Sequence, residues 1–129
     1  MAKTLLVDDE STHNFLNTTL LNLIGETDVE ARISGLEALQ FLEECNANNT
    51  FPDIIFLDLN LAGMNGFEFL EHFEKKFNQK KSSVIVLTNS ILESDKEEAF
   101  KYKSVLDFWS KPLTRDKLTD LFQRIEVEK

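Results

Sequence analysis

Five polar side chains stand at the ends of apolar runs in this sequence, where they could act together. Asp8 and Asp9 follow the first run, Asp58 follows the third, Thr88 ends the fourth and Lys111 follows the fifth. Three acids placed together raise one another's pKa unless a cation neutralises them, and carboxylate oxygens suit Mg²⁺ or Mn²⁺. An ammonium and a hydroxyl suit a phosphoryl group. These residue types predict phosphoryl transfer to a carboxylate, with Asp9 holding the metal and Asp58 acting as nucleophile.

The apolar runs that precede these residues have the length and composition of β-strands. Most are nearly continuous in apolar character, which is typical of strands covered on both faces of a parallel sheet. The second run alternates apolar residues with Glu and Arg, which predicts a strand nearer the sheet edge. The predicted strands are Thr4–Val7, Val29–Ile33, Ile54–Leu57, Val84–Leu87 and Val105–Trp109.

Helical spacing fills the intervals between the strands. Gly25 suits the position after the first helix, and Ser34 with Glu37 and Asn65 with Glu68 form capping-box patterns before the second and third. The predicted inward stripes are Leu16, Leu20, Leu23 and Ile24, then Ala38, Leu39, Leu42 and Cys45, then Leu70, Phe73 and Phe77.

The last two helices differ in the strength of their signals. The fourth is predicted to open near Ser94, with Glu97 three residues later, and its face is largely charged apart from Ala99 and Phe100. The fifth opens at Thr114. Leu113 and Leu118 are predicted to form a hydrophobic staple at its start. Its apolar stripe consists of Leu118, Leu121, Phe122 and Ile125.

Composition narrows the class of protein. The chain has 129 residues, 42% of them hydrophobic, and a formal net charge of −9. An acidic domain repels the phosphate backbone, so DNA binding is not expected. No apolar run approaches the roughly 20 residues that span a bilayer, and the single cysteine, Cys45, allows no internal disulfide. A cytoplasmic protein without a membrane partner is therefore expected.

Five strands alternating with five helices predict a right-handed βα repeat, hence an α/β protein with a parallel sheet between two helical layers. In such sheets ligands bind beyond the carboxyl ends of the strands. All five polar side chains then share one rim, whereas strand two contributes only Ser34. No linker is evident, so residues 1–129 are expected to form one domain without an output domain.

Four motifs resemble the receiver domain of two-component response regulators, with the order and spacing of that family across about Lys3 to Ile125. The resemblance implies the flavodoxin-like doubly wound fold with strand order 2-1-3-4-5. It also implies that Asp58 accepts a phosphoryl group from the phosphohistidine of a sensor histidine kinase or a phosphotransfer protein. The motifs are Leu5-Leu6-Val7-Asp8-Asp9, Ile54-Ile55-Phe56-Leu57-Asp58-Leu59-Asn60, Val86-Leu87-Thr88 and Lys111-Pro112.

The same resemblance implies the metal ligands. Asp9 and Asp58 would bind Mg²⁺ (or Mn²⁺) together with the backbone carbonyl of Asn60. Asp8 would support the metal directly or through water.

The resemblance also implies which residues would respond to the phosphoryl group. Thr88 and Lys111 would contact its oxygens, and Thr88 and Phe108 would form the conformational switch. Lys111 and Pro112 occupy the usual cis-peptide position of the family, where an X-Pro bond has only a small preference for trans.

Several positions depart from the usual family pattern. Ala62 replaces a common Pro and should loosen the loop after Asp58. Asn89 stands where Ala or Gly is common and would narrow access to the phosphoryl group, and Phe108 lacks the hydroxyl of the frequent Tyr. Asn60 and Ser90 occupy positions that tune the phosphoryl lifetime in the family.

Several other residues are not expected to take part in the chemistry. His13 and His72 look like surface positions without a zinc-binding arrangement. The basic stretch Lys75–Lys81 is expected to be a solvated loop and the acidic run Glu93–Glu98 an exposed helix face. Trp109 is expected either to join the core or to line a partner surface.

The sequence therefore predicts a stand-alone phosphorylation-dependent switch rather than a turnover enzyme. Its output would be a change in contacts with an unidentified downstream protein, or onward phosphotransfer, from a monomer or a phosphorylation-dependent dimer. Three rival hypotheses stay open: a pseudo-receiver that binds partners constitutively, a Mg²⁺-dependent phosphatase that forms an aspartyl phosphate, and a flavin-binding protein. Asn60 in place of a second acid disfavours the phosphatase, and the acidic rim disfavours the flavin.

Overall fold

The computed structural model describes residues 2–78 and 82–128, with the side chains of 126–128 left out. Five strands alternate with five helices, as predicted. The strands are β1 (Thr4–Val7), β2 (Val29–Arg32), β3 (Ile54–Leu57), β4 (Ser83–Thr88) and β5 (Val105–Ser110). The helices are α1 (Ser11–Leu23), α2 (Gly35–Asn48), α3 (Gly66–Lys76), α4 (Glu93–Ala99) and α5 (Arg115–Glu128).

The strands form one parallel sheet in the order β2-β1-β3-β4-β5, which confirms the predicted fold and the edge position of the second strand. Val7 is in register with Leu57, and Leu57 with Val86. The residues that follow β1 and β3 therefore emerge side by side. Thr88 pairs with Ser110 at the end of β4 and β5, beyond a register shift near Val84 and Ile85.

Two apolar layers enclose the sheet because successive strand residues point to opposite faces. On one face Leu5, Val7, Ile55 and Leu57 pack with residues of α2 and α3, including Phe69. On the other face, leucines of α1 and α5 cover the intervening strand residues. This second layer contains Leu6, Ile54, Phe56, Leu21 and Leu118.

Most helix boundaries follow the predicted signals. Asn65 and Glu68 form a complete capping box at α3, and the Ser34 hydroxyl accepts from the Glu37 amide at α2. The Thr114 hydroxyl accepts from an amide in the first turn of α5. Gly25 has φ +93°, a conformation that favours glycine after a helix.

Two helix predictions are wrong in part. In α1, Leu16 and Leu23 are 58% and 67% exposed, whereas Asn14 and Leu21 are buried. Leu20 and Ile24 of the predicted stripe do pack against the core. The helix is therefore turned only partly away from the predicted stripe, because its packing against the sheet and α5 sets its orientation. At α4 the helix begins at Glu93 after Leu92, with no side-chain cap from Ser94.

The charged stretches lie mostly on the surface. Glu93–Glu98 is largely exposed, as predicted. Lys75 and Lys76 end α3, and Lys76 pairs with Glu43 at 2.5 Å. The prediction of a solvated loop is therefore wrong for Lys75 and Lys76, which lie in the helix, and for Phe77, which is buried. Residues 79–81 lie outside the described residues. Among the described residues, no helix is long and apolar enough to cross a membrane.

Candidate functional site

Three predicted site residues meet at the carboxyl rim of the sheet. Lys111 Nζ donates to Asp8 Oδ2 at 2.7 Å and to Asp58 Oδ2 at 3.1 Å. The side chains of all three are largely buried, with Lys111 11% exposed. The ammonium therefore bridges two buried carboxylates that emerge from the adjacent strands β1 and β3.

Lys111 is positioned by the end of β5, which it directly follows. Its backbone amide donates to the carbonyl of Thr88 at 2.9 Å, which extends the β4–β5 pairing by one residue. The following peptide bond, between Lys111 and Pro112, is cis. The side chain is thus held at the rim by a backbone bond to β4 and by two carboxylates.

Asp58 is buried directly after the last residue of β3. The Asn60 amide donates to its Oδ1 at 3.1 Å, while Lys111 donates to its Oδ2. Both oxygens therefore accept hydrogen bonds, which fix the orientation of the carboxylate. Asn60 itself is exposed.

The two acids after β1 have different surroundings. Asp8 is buried, and its Oδ1 accepts from the Glu10 amide at 2.9 Å while Oδ2 accepts from Lys111. Asp9 is exposed. One carboxylate oxygen from each of Asp8, Asp9 and Asp58 lies within 4.8 Å of the others, in a cluster that could hold a metal ion.

The charge and the donor atoms of this cluster indicate which kind of metal ion it would bind. Three carboxylates and the Lys111 ammonium leave a formal charge of −2. Oxygen-only donors suit Mg²⁺ or Mn²⁺ rather than the softer metals that prefer Cys and His. The residues present therefore fit the predicted divalent cation.

The charge state of Lys111 follows from the same contacts. Burial lowers the pKa of Lys111, but hydrogen bonds and charge interactions with Asp58 and Asp8 raise it by more. Its pKa lies above the ordinary lysine value, so Lys111 is a permanent cation at the rim.

The predicted switch residues lie on the neighbouring strands β4 and β5. Thr88 is fully buried, and its Oγ1 accepts from the Ser90 amide at 3.2 Å, which leaves its hydroxyl proton for another acceptor. Phe108, in register with Val86 on β4, is half-buried against the core layer that α2 and α3 cover. Asn89 is exposed.

Trp109 joins the core layer beneath α5. Its ring lies 6.0 Å from that of Phe56, and its indole N–H donates to Asp107 at 2.9 Å. Of the two predicted locations, the structure therefore favours the core.

His13 is a site neighbour that the sequence analysis missed. His72 is exposed on α3 as predicted, but His13 is a correction because its side chain is only 32% exposed. Its Nδ1 lies 3.1 Å from Lys111 Nζ and 3.3 Å from Asp8 Oδ2. A signal was available: a polar ring in the first turn of a helix that begins directly after the acidic pair must lie near that pair.

Comparisons with known proteins agree with this geometry. The profile of the family described as response regulator receiver domain matches residues 4–123. The chain is similar to the crystal structure of a two component response regulator from Cytophaga hutchinsonii, with a TM-score of 0.88, 33% identity and 95% of each chain covered. It is 27% identical over 118 residues to Protein PilH of Pseudomonas aeruginosa, covering 92% of each.

A further relative is a much longer protein. Hybrid signal transduction histidine kinase L of Dictyostelium discoideum is 27% identical over 127 residues. That match covers 96% of this chain but only 7% of the kinase.

Proposed function

This chain belongs to the response regulator receiver domain family, and from that membership we propose that it is a phosphorylation-dependent switch whose acceptor is Asp58. The donor is the phosphohistidine of a sensor histidine kinase or a phosphotransfer protein. The observation that carries the proposal is the bridge that Lys111 makes between Asp58 and Asp8 at the carboxyl rim, beside Asp9.

The reaction forms one bond and breaks one. A carboxylate oxygen of Asp58 attacks phosphorus, and the P–N bond of the phosphohistidine breaks with its electron pair passing to the imidazole nitrogen. Asp58 becomes an aspartyl phosphate, and the donor histidine returns to its neutral form after taking up a proton. Lys111 offers a fixed positive charge to the phosphoryl oxygens, so it stabilises charge that develops in the transition state.

Asp9, Asp58 and the backbone carbonyl of Asn60 would hold Mg²⁺ or Mn²⁺. The ion would neutralise the carboxylates and the incoming phosphoryl oxygens. Asp8 orients Lys111, to which it makes the shorter of the two carboxylate contacts. It would reach the metal most readily through water.

Thr88 and Phe108 connect the acceptor to the surface. The Thr88 hydroxyl can donate to a phosphoryl oxygen while it accepts from Ser90, and this draws the end of β4 toward Asp58. Phe108 lies on the neighbouring strand and is half-buried. A shift of β4 therefore changes the packing of Phe108, and through it the surface around β5.

The proposed output is altered contact with a downstream protein, or onward phosphotransfer, rather than steady turnover of a substrate. Large apolar side chains are exposed near α4 and β5. Ile91 is 94% exposed, and the others are Leu92, Phe100 and Leu106. Exposed apolar side chains that flank α4 and lie on β5 suit a protein partner whose affinity depends on phosphorylation.

The test is the intact mass after incubation with acetyl phosphate, with and without Mg²⁺, for the wild type and Asp58→Asn. One added phosphoryl group on the wild type with Mg²⁺, and none on the variant, is the expected result. If the wild type gains nothing, the measurement is repeated with a panel of phosphorylated histidine kinases. No transfer from any of them would refute the proposal and favour a constitutive binding module.

A further inference from the structure

His13 completes the hydrogen bonding of the Lys111 ammonium. A lysine ammonium has three protons to donate, and three acceptors lie within reach of Nζ. Asp8 Oδ2 is at 2.7 Å, Asp58 Oδ2 at 3.1 Å and His13 Nδ1 at 3.1 Å. Two of these acceptors are anions, and the third is a ring nitrogen.

The surroundings of the ring specify which nitrogen carries the proton. Nε2 lies 3.4 Å from Glu10 Oε2, while Nδ1 lies 3.1 Å from the Lys111 ammonium and 3.3 Å from Asp8 Oδ2. A proton on Nε2 points toward a carboxylate and leaves a lone pair on Nδ1 for Lys111. A proton on Nδ1 would instead face the ammonium at 3.1 Å, and the Asp8 oxygen that could accept it at 3.3 Å already accepts from Lys111 at 2.7 Å. The geometry therefore favours the lone pair on Nδ1.

Hydrogen bonds at the start of α1 fix the position of His13. The next residue, Asn14, is buried, and its Nδ2 donates to the Asp8 carbonyl at 2.9 Å. The Asn14 amide also donates to the Glu10 carbonyl. These bonds tie the first turn of α1 to the end of β1, so the His13 ring is placed by a buried contact beside it.

We propose that His13 is a positioning residue for Lys111 in the phosphorylation of Asp58, an inference that rests on the proposed function. Its Nδ1 fixes the ammonium as a third, neutral acceptor. A third carboxylate would also fix the ammonium, but it would cancel the positive charge that the phosphoryl oxygens require. A neutral acceptor orients Lys111 and leaves that charge available.

Variants at position 13 test whether the hydrogen-bond acceptor is needed or the imidazole ring itself. His13→Leu removes the acceptor, while His13→Asn places a carbonyl oxygen near the position of Nδ1. His72→Leu, the loss of the other histidine at an exposed site on α3, is the matched control. We expect the rate constant of phosphorylation by acetyl phosphate at saturating Mg²⁺ to fall about 10-fold in His13→Leu, the effect of one hydrogen bond to a charged donor.

The same rate constant should stay near the wild-type value in His13→Asn and His72→Leu. In a Lys111→Met background, His13→Leu should cause no further loss, because the group that it orients is absent. Circular dichroism and thermal unfolding of each variant establish that the fold is kept. His13→Ala serves as a second variant without the acceptor if His13→Leu does not fold.

Nuclear magnetic resonance provides an independent readout of the ring. Long-range ¹H–¹⁵N correlations of the wild type, at a pH where His13 is neutral, should show the proton on Nε2. A proton on Nδ1 overturns the inference, as does a wild-type rate in His13→Leu or an equal further loss when Lys111 is already replaced. These outcomes differ from a failure of the proposed function, in which the wild type itself gains no phosphoryl group.

Discussion

Lys111 Nζ lies nearer to Asp8 Oδ2, at 2.7 Å, than to Asp58 Oδ2, at 3.1 Å, although Asp8 is 103 positions away in the sequence. The ammonium is therefore shared between an acid that would orient it and an acid that would be phosphorylated. This arrangement keeps the cation beside the proposed acceptor without committing all of its protons to that acceptor.

Removal of the shared cation should destabilise the fold. Lys111→Met leaves two buried carboxylates without a counter-ion, so the free energy of unfolding without divalent cations should fall by about 3 kcal/mol. Asp58→Asn should leave it unchanged or raise it by about 1 kcal/mol, because Lys111 keeps Asp8 as partner and one buried charge is lost. Urea denaturation measures both. Equal destabilisation by the two substitutions would contradict the shared-cation arrangement.

Divalent cations should stabilise the protein through the acidic cluster. With Mg²⁺ at about 100 times its Kd, the free energy of unfolding should rise by about 2.7 kcal/mol. Asp9→Asn should remove most of this gain, because Asp9 is the exposed acid of the cluster. Asp120→Asn, the control, also removes one negative charge, but at an exposed position on α5. A Mg²⁺ effect that is the same in all three proteins places the ion elsewhere.

Gly66 should resist substitution, because α3 begins in close contact with the acceptor loop. A Cβ at Gly66 would lie 2.7 Å from Leu59 Cα and 2.8 Å from the Asp58 carbonyl oxygen. Both neighbours are backbone atoms next to the acceptor. Gly66→Ala should therefore lower the free energy of unfolding by about 1–3 kcal/mol and slow phosphorylation by displacing Asp58.

Gly35 gives a matched control for this substitution, since it is likewise the first residue of a helix. The nearest atom to a Cβ there is Met64 Sδ at 3.0 Å, in a flexible side chain. Gly35→Ala should change the free energy of unfolding by less than about 1 kcal/mol. Urea denaturation of both variants tests the pair, and similar losses would show that the Asp58–Leu59 contact is not the cause.

Tyr102, the single tyrosine, should ionise above its ordinary pKa of 10.0. Burial raises its pKa first, and the carboxylates of Glu71, Glu98 and Glu74 raise it further. The folded state thus favours the neutral phenol. Its contribution to stability is present below the unfolded pKa and is lost as the pH rises through the folded value.

Absorbance at the phenolate band measures this titration without interference from a second tyrosine. Glu71→Gln should lower the pKa of Tyr102 toward, but not to, 10.0, because burial remains. Denatured protein supplies the reference titration. A folded-state midpoint at or below that of the denatured protein contradicts the prediction.

The sequence by itself determined the elements and the rim. Strand character is local, since four-residue apolar runs such as Ile54–Leu57 can be satisfied only between two covered faces. Capping signals are local too, and Asn65 with Glu68 fixed the start of α3. Once the strands are parallel, the residues that follow them must share one edge. The placing of Asp8, Asp58 and Lys111 at one rim follows from that geometry.

Only the tertiary structure decided how each helix is rotated and which rim residues touch. The α1 stripe was wrong in part because Leu16, Leu20, Leu23 and Ile24 share one side of the helix, whereas Leu21 lies roughly 140° around the axis from Leu16. The helix is turned so that Leu20, Leu21 and Ile24 face the core while Leu16 and Leu23 are exposed. Packing against the sheet and α5 settled that orientation by burying Leu21 and Asn14. The same rotation placed His13 against Lys111, a contact 98 positions apart in the sequence that no local pattern encodes.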